Sequence, residues 1–451
     1  MFSLRNAVAR GAPRQCLKSS SLLPLRHART FASPASTLPT YEVSEANGVK
    51  VVSKDTGSPT ASLAVVIRAG SRYQPLPGLA HALEHFAFKA TSKRSSLFIT
   101  REVELMGGIL ETSLSRENIV YKARFLRGDL PYFVELLGDA MTKPVFNAHE
   151  FKEQVIPTME HESHVAYSNP SYFALEAAHA VAYHQGLGLD QLSYVRKDFA
   201  TREIALYASL TFNKSNFAVV GSGVPHSDLV KYTTEFFGGA KTGEAADAES
   251  SAYYGGENRV WSRAGNAVVI AFPGSAGGAA FKPELSVLSY LLGGQSNIKW
   301  SHGSSLVGKV LDKYRTVTAA SKNITYSDTG LFYVTVAGQA EELKNALPGV
   351  VEAIKSLKNV KAEDVKRAIQ NAKFDVYAAA EDNALSLEAI GQSVIATGGI
   401  PQIEQTIKAI EGVTLDSVKK AATALLANKA AVGVVGDLHI LPYACDLGLT
   451  V

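Results

Sequence analysis

Cysteine is nearly missing from this chain of 451 residues, and its scarcity narrows the kinds of site that the protein can hold. The two cysteines, Cys16 and Cys445, stand near opposite ends of the sequence. Two such residues build neither a disulfide framework nor a zinc site of several thiolates. The composition therefore fits a protein of a reducing compartment.

Long apolar runs are missing as well. The longest ones, such as ASLAVVIRAG and AAVGVVG, have roughly half of the ~20 apolar residues that a helix needs to cross a bilayer. Apolar runs of this length are typical of buried β-strands. We therefore predict strands at both places and no membrane span.

Acidic residues are absent before Glu42, although the whole chain has a formal net charge of only +3. Six cations precede Glu42, which leaves +3 − 6 = −3 for the rest of the chain. They are Arg5, Arg10, Arg14, Lys18, Arg26 and Arg29. A segment rich in Arg, Ser, Leu and Ala without acids predicts a mitochondrial transit peptide over residues 1–36, with a disordered basic tail as the alternative. The mildly acidic remainder offers no basic surface for nucleic acid.

The remaining chain divides into two halves with a similar order of predicted elements. We predict an N-terminal lobe over residues 37–238, a small, polar and acidic linker over 239–257, and a C-terminal lobe over 258–451. In each lobe, strands that are neighbours in sequence precede a run of amphipathic helices. This order predicts an α+β fold in which each lobe has a mainly antiparallel sheet with helices packed on one face. The matching segments SLAVVIRAGS and NAVVIAFPGS suggest a duplication.

Two imidazoles and a carboxylate stand together in the run HALEH, at residues 81–85. Residues four apart lie on the same helix face, about 5–6 Å apart at Cβ. His81 and His85 are therefore placed to ligate one zinc ion, while Glu84 addresses a water bound to that ion. The run predicts a zinc peptidase site or the remnant of one.

A catalytic zinc site usually has three protein ligands, and Glu160 is the candidate that we select for the third. It follows Glu153 by seven residues, so the two carboxylates would share one helix face two turns apart. Pro157 stands in the same predicted helix, where a proline removes a hydrogen bond and usually produces a kink.

Four features of this chain together resemble the pitrilysin-type zinc peptidases. They are the HALEH turn, its continuation FAFKAT, the segment EVELMGGILETSLSRENIVYKARFL and the duplicated layout. The resemblance covers nearly all of the chain after the basic N-terminus. It is closer to the mitochondrial branch of the family, which includes the processing peptidase subunits and the core proteins of respiratory complex III. The resemblance implies the pitrilysin/LuxS-like metallopeptidase fold.

The resemblance also implies roles for individual residues. His81 and His85 fall at the histidine ligands of the family, Glu84 at its general base, and Glu160 at or next to its glutamate ligand. An alignment of VIPTME on the processing peptidase pattern would instead put Met159 at the ligand position. Core proteins of the mitochondrial branch commonly have a degraded metal motif, whereas this chain retains both histidines and the glutamate of the motif.

The function that the resemblance implies is that of a non-catalytic core subunit of ubiquinol–cytochrome c reductase. Such a subunit would be a peripheral scaffold on the matrix side of the mitochondrial inner membrane. It would pair with core protein 1, contact other complex III subunits and occur twice in a dimeric complex. We expect it to require no cofactor, with Glu84 vestigial and the zinc site unoccupied. The alternative is a zinc-dependent processing peptidase subunit that cleaves presequences.

Overall fold

The computed structural model describes residues 40–193, 199–246, 250–293 and 303–451. The predicted transit peptide, residues 1–36, lies outside the described residues. Thr40–Val451 form one compact unit. Within the described ranges, no helix is both long enough and apolar enough to cross a lipid bilayer.

A six-stranded sheet forms the centre of the first lobe. Its strands are β1 (Glu42–Ala46), β2 (Val49–Lys54), β3 (Thr60–Ile67), β4 (Ile109–Leu114), β5 (Ile119–Leu126) and β6 (Phe217–Ser222). Across the sheet they follow the order β1-β2-β6-β3-β5-β4, and β2 and β6 run parallel while the other neighbours are antiparallel. The apolar run ASLAVVIRAG supplies β3, which is central and buried along most of its length, as its composition predicts.

A five-stranded sheet forms the centre of the second lobe. Its strands are β7 (Gly256–Trp261), β8 (Asn266–Pro273), β9 (Thr318–Thr325), β10 (Gly330–Gly338) and β11 (Ala431–Gly436). Their order is β7-β11-β8-β10-β9, with β7 and β11 parallel. This is the order β2-β6-β3-β5-β4 of the first lobe, strand for strand. The shared strand order and strand directions support the duplication that the sequence suggested.

The helices fill the connections between the strands. They are α1 (Leu79–His85), α2 (Ser96–Met106), α3 (Leu130–Thr142), α4 (Ala148–Glu150), α5 (Ile156–Tyr167), α6 (Pro170–Tyr183), α7 (Thr201–Thr211), α8 (His226–Phe236), α9 (Pro283–Leu292), α10 (Leu306–Leu311), α11 (Ala340–Lys355), α12 (Ala362–Glu381), α13 (Asn383–Thr397), α14 (Ile403–Glu411) and α15 (Leu415–Leu426). A π-helical segment, Phe151–Val155, joins α4 to α5. The predicted α+β fold with two lobes is confirmed. The predicted limits of the lobes and linker, 37–238, 239–257 and 258–451, stay a prediction.

Each lobe covers one face of its sheet with its own helices and receives a helix from the other lobe on the opposite face. In the first sheet, the outer face packs against Leu387, Ile390 and Val394 of α13. In the second sheet, the corresponding face packs against α6. The two crossing helices bury apolar sheet faces that would otherwise be exposed, so the hydrophobic effect holds the two halves together.

Two glycines mark the closest approach of these crossing helices. A Cβ on Gly433 of β11 would lie 2.1 Å from the carbonyl oxygen of Ala174 in α6. A Cβ on Gly391 of α13 would lie 2.3 Å from Cγ2 of Val66 in β3. Because both distances are far below van der Waals contact, any larger residue would push helix and sheet apart.

A buried network of charged and polar groups also joins the lobes. Arg72 donates to Glu117 at 2.8 Å and, through both terminal nitrogens, to Asp328 at 2.8 and 2.6 Å. Glu117 accepts further hydrogen bonds from the backbone and hydroxyl of Ser327 and from Gln392. Arg72 and Glu117 belong to the first lobe, whereas the other three residues belong to the second. Charge pairs of this kind fix the orientation of one lobe relative to the other, because a shift between the lobes would leave a buried charge unpaired.

The C-terminal tail, residues 437–451, folds back over β7. Arg259 donates to the carbonyls of Leu438, Leu441 and Pro442 at 3.2, 2.8 and 2.8 Å, and its guanidinium lies 3.9 Å from the ring centre of Tyr443. The predicted strand AAVGVVG, which becomes β11, leads directly into this tail. The tail thus packs on side chains of β7, which is the edge strand of the second sheet.

Candidate metal site

The histidine-bearing helix α1 begins at a turn that its own sequence fixes. Gly78, just before the helix, has φ 89, a left-handed conformation that glycine adopts without strain. The side-chain oxygen of Gln74 accepts from the backbone N–H groups of Gly78 and Ala80 at 3.0 and 3.1 Å. This side chain satisfies N–H groups at the start of the helix, where the helix itself offers no acceptor. Leu79 and Leu83 lie on the side of α1 away from the two histidines, and both are buried in the core of the first lobe.

Three donor atoms converge beside α1. Nε2 of His81 and Nε2 of His85 lie 3.1 Å apart. Oε2 of Glu162 lies 3.3 Å from the first and 3.0 Å from the second. His81 is fully buried, and the Glu162 side chain is 44% exposed, so the cluster opens to solvent on the Glu162 side.

The third member of the cluster is Glu162, and not Glu160 as we predicted from spacing. Glu160 is exposed, and no contact joins it to the two histidines in the described structure. The two glutamates are two residues apart on α5, which rotates them by about 200° around the helix axis. They therefore lie on opposite sides of the buried stripe formed by Met159 and Ser163. Met159, the alternative in the sequence alignment, is fully buried in the core.

The π-helical segment before α5 explains why the spacing from Glu153 misleads. A π-turn contains an extra residue compared with an α-turn, so it shifts every later side chain around the axis. The segment ends at Val155, and Pro157 follows it two residues later within the same continuous helical run, where it has no N–H to donate. The kink that we predicted from Pro157 stays a prediction, and the structure adds the π segment just before this residue.

Glu84 is the candidate base beside the cluster. It is buried, and its Oε1 accepts from the hydroxyl of Thr112 on β4 at 3.2 Å. Burial, together with the negative charge of Glu162, raises the pKa of Glu84 to about 7, although the Thr112 hydrogen bond opposes the shift. A pKa near neutral pH is favourable for a general base.

The donor set fits a zinc ion. Zn–N and Zn–O bonds of about 2.0–2.1 Å at tetrahedral angles separate the ligand atoms by roughly 3.3 Å, close to the 3.0–3.3 Å observed between the three donors. Burial lowers the pKa of His85, which favours the neutral imidazole that binds metal. The hydrogen bond between Glu162 and His81 lowers the pKa of Glu162, which favours the charged carboxylate. His81, His85 and Glu162 are therefore the residues that would hold a zinc ion here.

Comparison with known proteins gives the wider context of this site. Residues 50–192 match the family model described as Insulinase (Peptidase family M16), and residues 204–372 match the one described as Peptidase M16 inactive domain. The mitochondrial cytochrome b-c1 complex subunit 2 of Neurospora crassa is 42% identical over 458 residues, which cover 99% of each chain. The chain belongs to the cytochrome b-c1 complex subunit 2 family. The subunit 2 of Cryptococcus neoformans is 36% identical over the full length of both chains.

The cytochrome b-c1 complex subunit 2 family has relatives among processing peptidases. The mitochondrial-processing peptidase subunit alpha of Solanum tuberosum is 27% identical to this chain, with 94% of this chain and 88% of the relative covered. These matches confirm the resemblance that the sequence motifs indicated. The HALEH turn falls within the matched M16 segment, residues 50–192, and so does Glu162.

Proposed function

We propose that this chain is a non-catalytic core subunit of the mitochondrial cytochrome b-c1 complex, where it supports assembly and stability in electron transport. The observation that carries this proposal is the similarity to subunit 2 proteins over essentially the whole length of both chains. A match to the M16 inactive domain over residues 204–372 supports the same conclusion. Interlocked lobes, joined by α6, α13 and the Arg72 network, give a rigid body that suits a scaffold.

The partners of the scaffold are other subunits of the same complex. We infer that core protein 1, a homologue, pairs with this chain, and that the dimeric complex contains two copies of the pair. The pair would be peripheral to the inner membrane, on its matrix side. Residues 1–36 would direct import as a transit peptide and be removed.

Separation of mitochondrial membrane complexes tests this assignment. Membranes are solubilised in mild detergent and resolved on a native gel. We expect the chain to migrate with the cytochrome b-c1 complex and to be lost from membranes that lack this complex. Sequencing of the N-terminus in the same band should begin after residue 36 or close to it. Recovery in a soluble heterodimer, with the b-c1 complex intact in its absence, would overturn the scaffold assignment.

A second candidate function, zinc peptidase activity on presequences, is favoured by one observation. Glu162 completes a donor set of two imidazoles and one carboxylate, and Glu84 is a base with a pKa of about 7 beside it. Zinc, when bound there, would polarise a water or a peptide carbonyl. His81, His85 and Glu162 would orient that ion, and Glu84 would hold a proton at its carboxylate.

Glu84→Gln separates the two functions because it keeps shape and removes the base. We expect that the purified complex leaves a presequence peptide uncleaved, and that neither Glu84→Gln nor zinc chelation changes assembly or quinol oxidation. The scaffold would thus require no cofactor. If the native complex cleaved the peptide and the Glu84→Gln complex did not, the peptidase function would be established instead.

A further inference from the structure

A short loop after α6, residues 184–193, is bound by side chains from both sides of the metal cluster. We call this segment the brace loop. It contains one 3-10 turn, Gly186–Gly188. Its later carbonyl groups accept hydrogen bonds from side chains of other elements, at Leu187, Leu189, Asp190, Leu192 and Ser193. Side chains that pair with so many backbone groups hold a loop in one position.

Two side chains of α5 bind the brace loop. The hydroxyl of Ser163 donates to the carbonyl of Ser193 at 2.7 Å, and the hydroxyl of Tyr167 donates to the carbonyl of Leu192 at 3.1 Å. Ser163 and Tyr167 are both buried. They are four residues apart, so they lie on one face of α5 in successive turns. The two hydrogen bonds therefore oppose rotation of α5 about its axis, and the first of them acts on the residue next to Glu162.

The same loop is tied to the elements on the histidine side of the cluster. Gln74, whose side-chain oxygen caps α1, donates from its amide nitrogen to the carbonyl of Asp190 at 3.4 Å. Arg116, in the turn between β4 and β5, donates to the carbonyls of Leu187 and Leu189 at 2.9 and 2.6 Å. Both donor side chains are buried. The brace loop thus connects α5 to the start of the histidine helix and to the end of β4.

Glu162 depends on the position of α5, because its carboxylate has no other support in the described ranges. Its hydrogen-bond partners there are His81 and His85 alone. The two histidines share α1, so that helix by itself sets their separation. A helix places successive side chains about 100° apart around its axis, so a rotation of α5 would carry the carboxylate away from the imidazoles.

We propose that the brace loop positions Glu162 for metal binding, with Ser163 and Tyr167 as positioning residues. Their hydroxyl groups hold α5 at the rotation that brings Glu162 to the two imidazoles. A divalent cation then meets three donors that have already converged, and its binding requires less ordering of the ligands. The inference goes beyond the scaffold role, since it concerns affinity for a metal ion and requires neither peptidase activity nor other subunits.

A titration of the purified full chain with Co²⁺ tests the proposal, because the visible absorption of this ion reports the ligands around it. Tyr167→Phe removes one hydroxyl and keeps the ring. Tyr172→Phe is the matched control, since the hydroxyl of Tyr172 is buried on α6 and has no hydrogen-bond partner in the described structure. We expect Tyr167→Phe to weaken Co²⁺ binding about tenfold and Tyr172→Phe to leave it unchanged.

A second pair of variants examines the other hydrogen bond. Ser163→Ala should also weaken binding about tenfold. Its control is Ser168→Ala, because the Ser168 hydroxyl donates to the carbonyl of Val165 and not to the brace loop. If Ser163 acts through Glu162, Ser163→Ala should cause no further loss of affinity in a chain that already carries Glu162→Ala.

The absorption of bound Co²⁺ separates positioning from a loss of stability. Ser163→Ala and Tyr167→Phe should shift the spectrum towards that of Glu162→Ala. A merely structural role would lower the urea midpoint and leave the spectrum unchanged, which would overturn the proposal. Native affinity in both hydroxyl variants would also contradict it, as would a native chain that binds no Co²⁺.

The double variant provides a further check. An equal loss of affinity from Ser163→Ala with and without Glu162→Ala would show that the serine does not act through the glutamate, and the proposal would fail. None of these outcomes bears on the scaffold role. That role is tested by migration on the native gel, so failure of one proposal is distinguishable from failure of the other.

Discussion

At the scale of single residues, the metal cluster shows how closely function depends on helical phase. The letters of the motif identified His81 and His85 because they share one short helix with no irregularity between them. Glu162 was missed because 76 residues and a π-helical segment separate it from the second histidine. The run EHE contains Glu160 and Glu162, and both flank the buried stripe of α5. Only the fold decides which of them faces the histidines.

The register of α5 gives a direct prediction about zinc affinity. Glu162→Gln should weaken zinc binding on the order of 100-fold, because it removes a charged ligand, whereas Glu160→Gln should leave binding unchanged. The measurement is a zinc titration of the purified chain against a chromophoric chelator. If both variants bound zinc as tightly as the native chain, neither glutamate would be a ligand. A loss of affinity confined to Glu160→Gln would instead make Glu160 the ligand, as the spacing predicted.

Gly433 provides a second prediction at this scale. Gly433→Ala would place a methyl group against the carbonyl oxygen of Ala174, and backbone atoms cannot move aside cheaply. We expect a loss of about 3 kcal/mol in the free energy of unfolding, measured from the urea midpoint of the full chain. Gly128→Ala is the control, since no atom lies within 4 Å of a Cβ there. A Gly433→Ala protein as stable as this control would contradict the close approach of α6.

At the scale of elements, the sequence predicts best what local patterns determine. The strands β3 and β11 follow from apolar runs of strand length, and the end of α2 follows from Gly107, which has φ 66. The position of β11 between β7 and β8 does not follow, because pairing partners far apart in sequence leave no local signal. The crossing of α6 and α13 is hidden for the same reason. An amphipathic helix shows that it has an apolar face, but not which sheet covers that face.

The C-terminal tail depends on one side chain of β7. Arg259 satisfies three tail carbonyls at once, and its side chain is only 12% exposed. Arg259→Ala should therefore release residues 437–451 and destabilise the chain by about 3 kcal/mol. Arg259→Lys should rescue little, since an ammonium group cannot reach all three carbonyls in the fixed geometry of a guanidinium.

Limited proteolysis reads out this prediction about the tail. Cleavage after Asp437 should accelerate in Arg259→Ala and stay slow in Arg263→Ala, whose cation is exposed and contacts the ring of Trp261. Equal cleavage of the two variants would mean that the apolar contacts of Leu441 and Ala444 hold the tail without the arginine.

At the scale of the whole molecule, the two lobes are mutually dependent. One face of each sheet packs against a helix of the other lobe, and the Arg72 network joins the two lobes as well. A molecule built in this way resists movement of one lobe against the other. Resistance of this kind suits a subunit whose proposed role is to hold neighbours in place.

The network that joins the lobes makes stability depend on pH in a defined window. Burial opposes ionisation of Asp328, but hydrogen bonds from Arg72 and Ser251 outweigh it and lower its pKa below the ordinary value of 3.8. A carboxylate with a lowered pKa in the folded state contributes stability above the ordinary pKa, and this contribution disappears as the pH falls through the folded value. Asp328→Asn should therefore cost about 2 kcal/mol at pH 7. The difference from the native chain should shrink once the pH falls below 3.8.

Urea unfolding of both proteins at several pH values measures that difference. The control is Asp364→Asn, which removes an exposed ion pair with Arg367 inside α12 and should change the midpoint little at any pH. Two independent lobes would give a different result, because Asp328 would then lie on a free surface. A constant difference between native chain and Asp328→Asn across the whole pH range would contradict the ion pair to Arg72. No difference at pH 7 would mean that the crossing helices alone hold the lobes together.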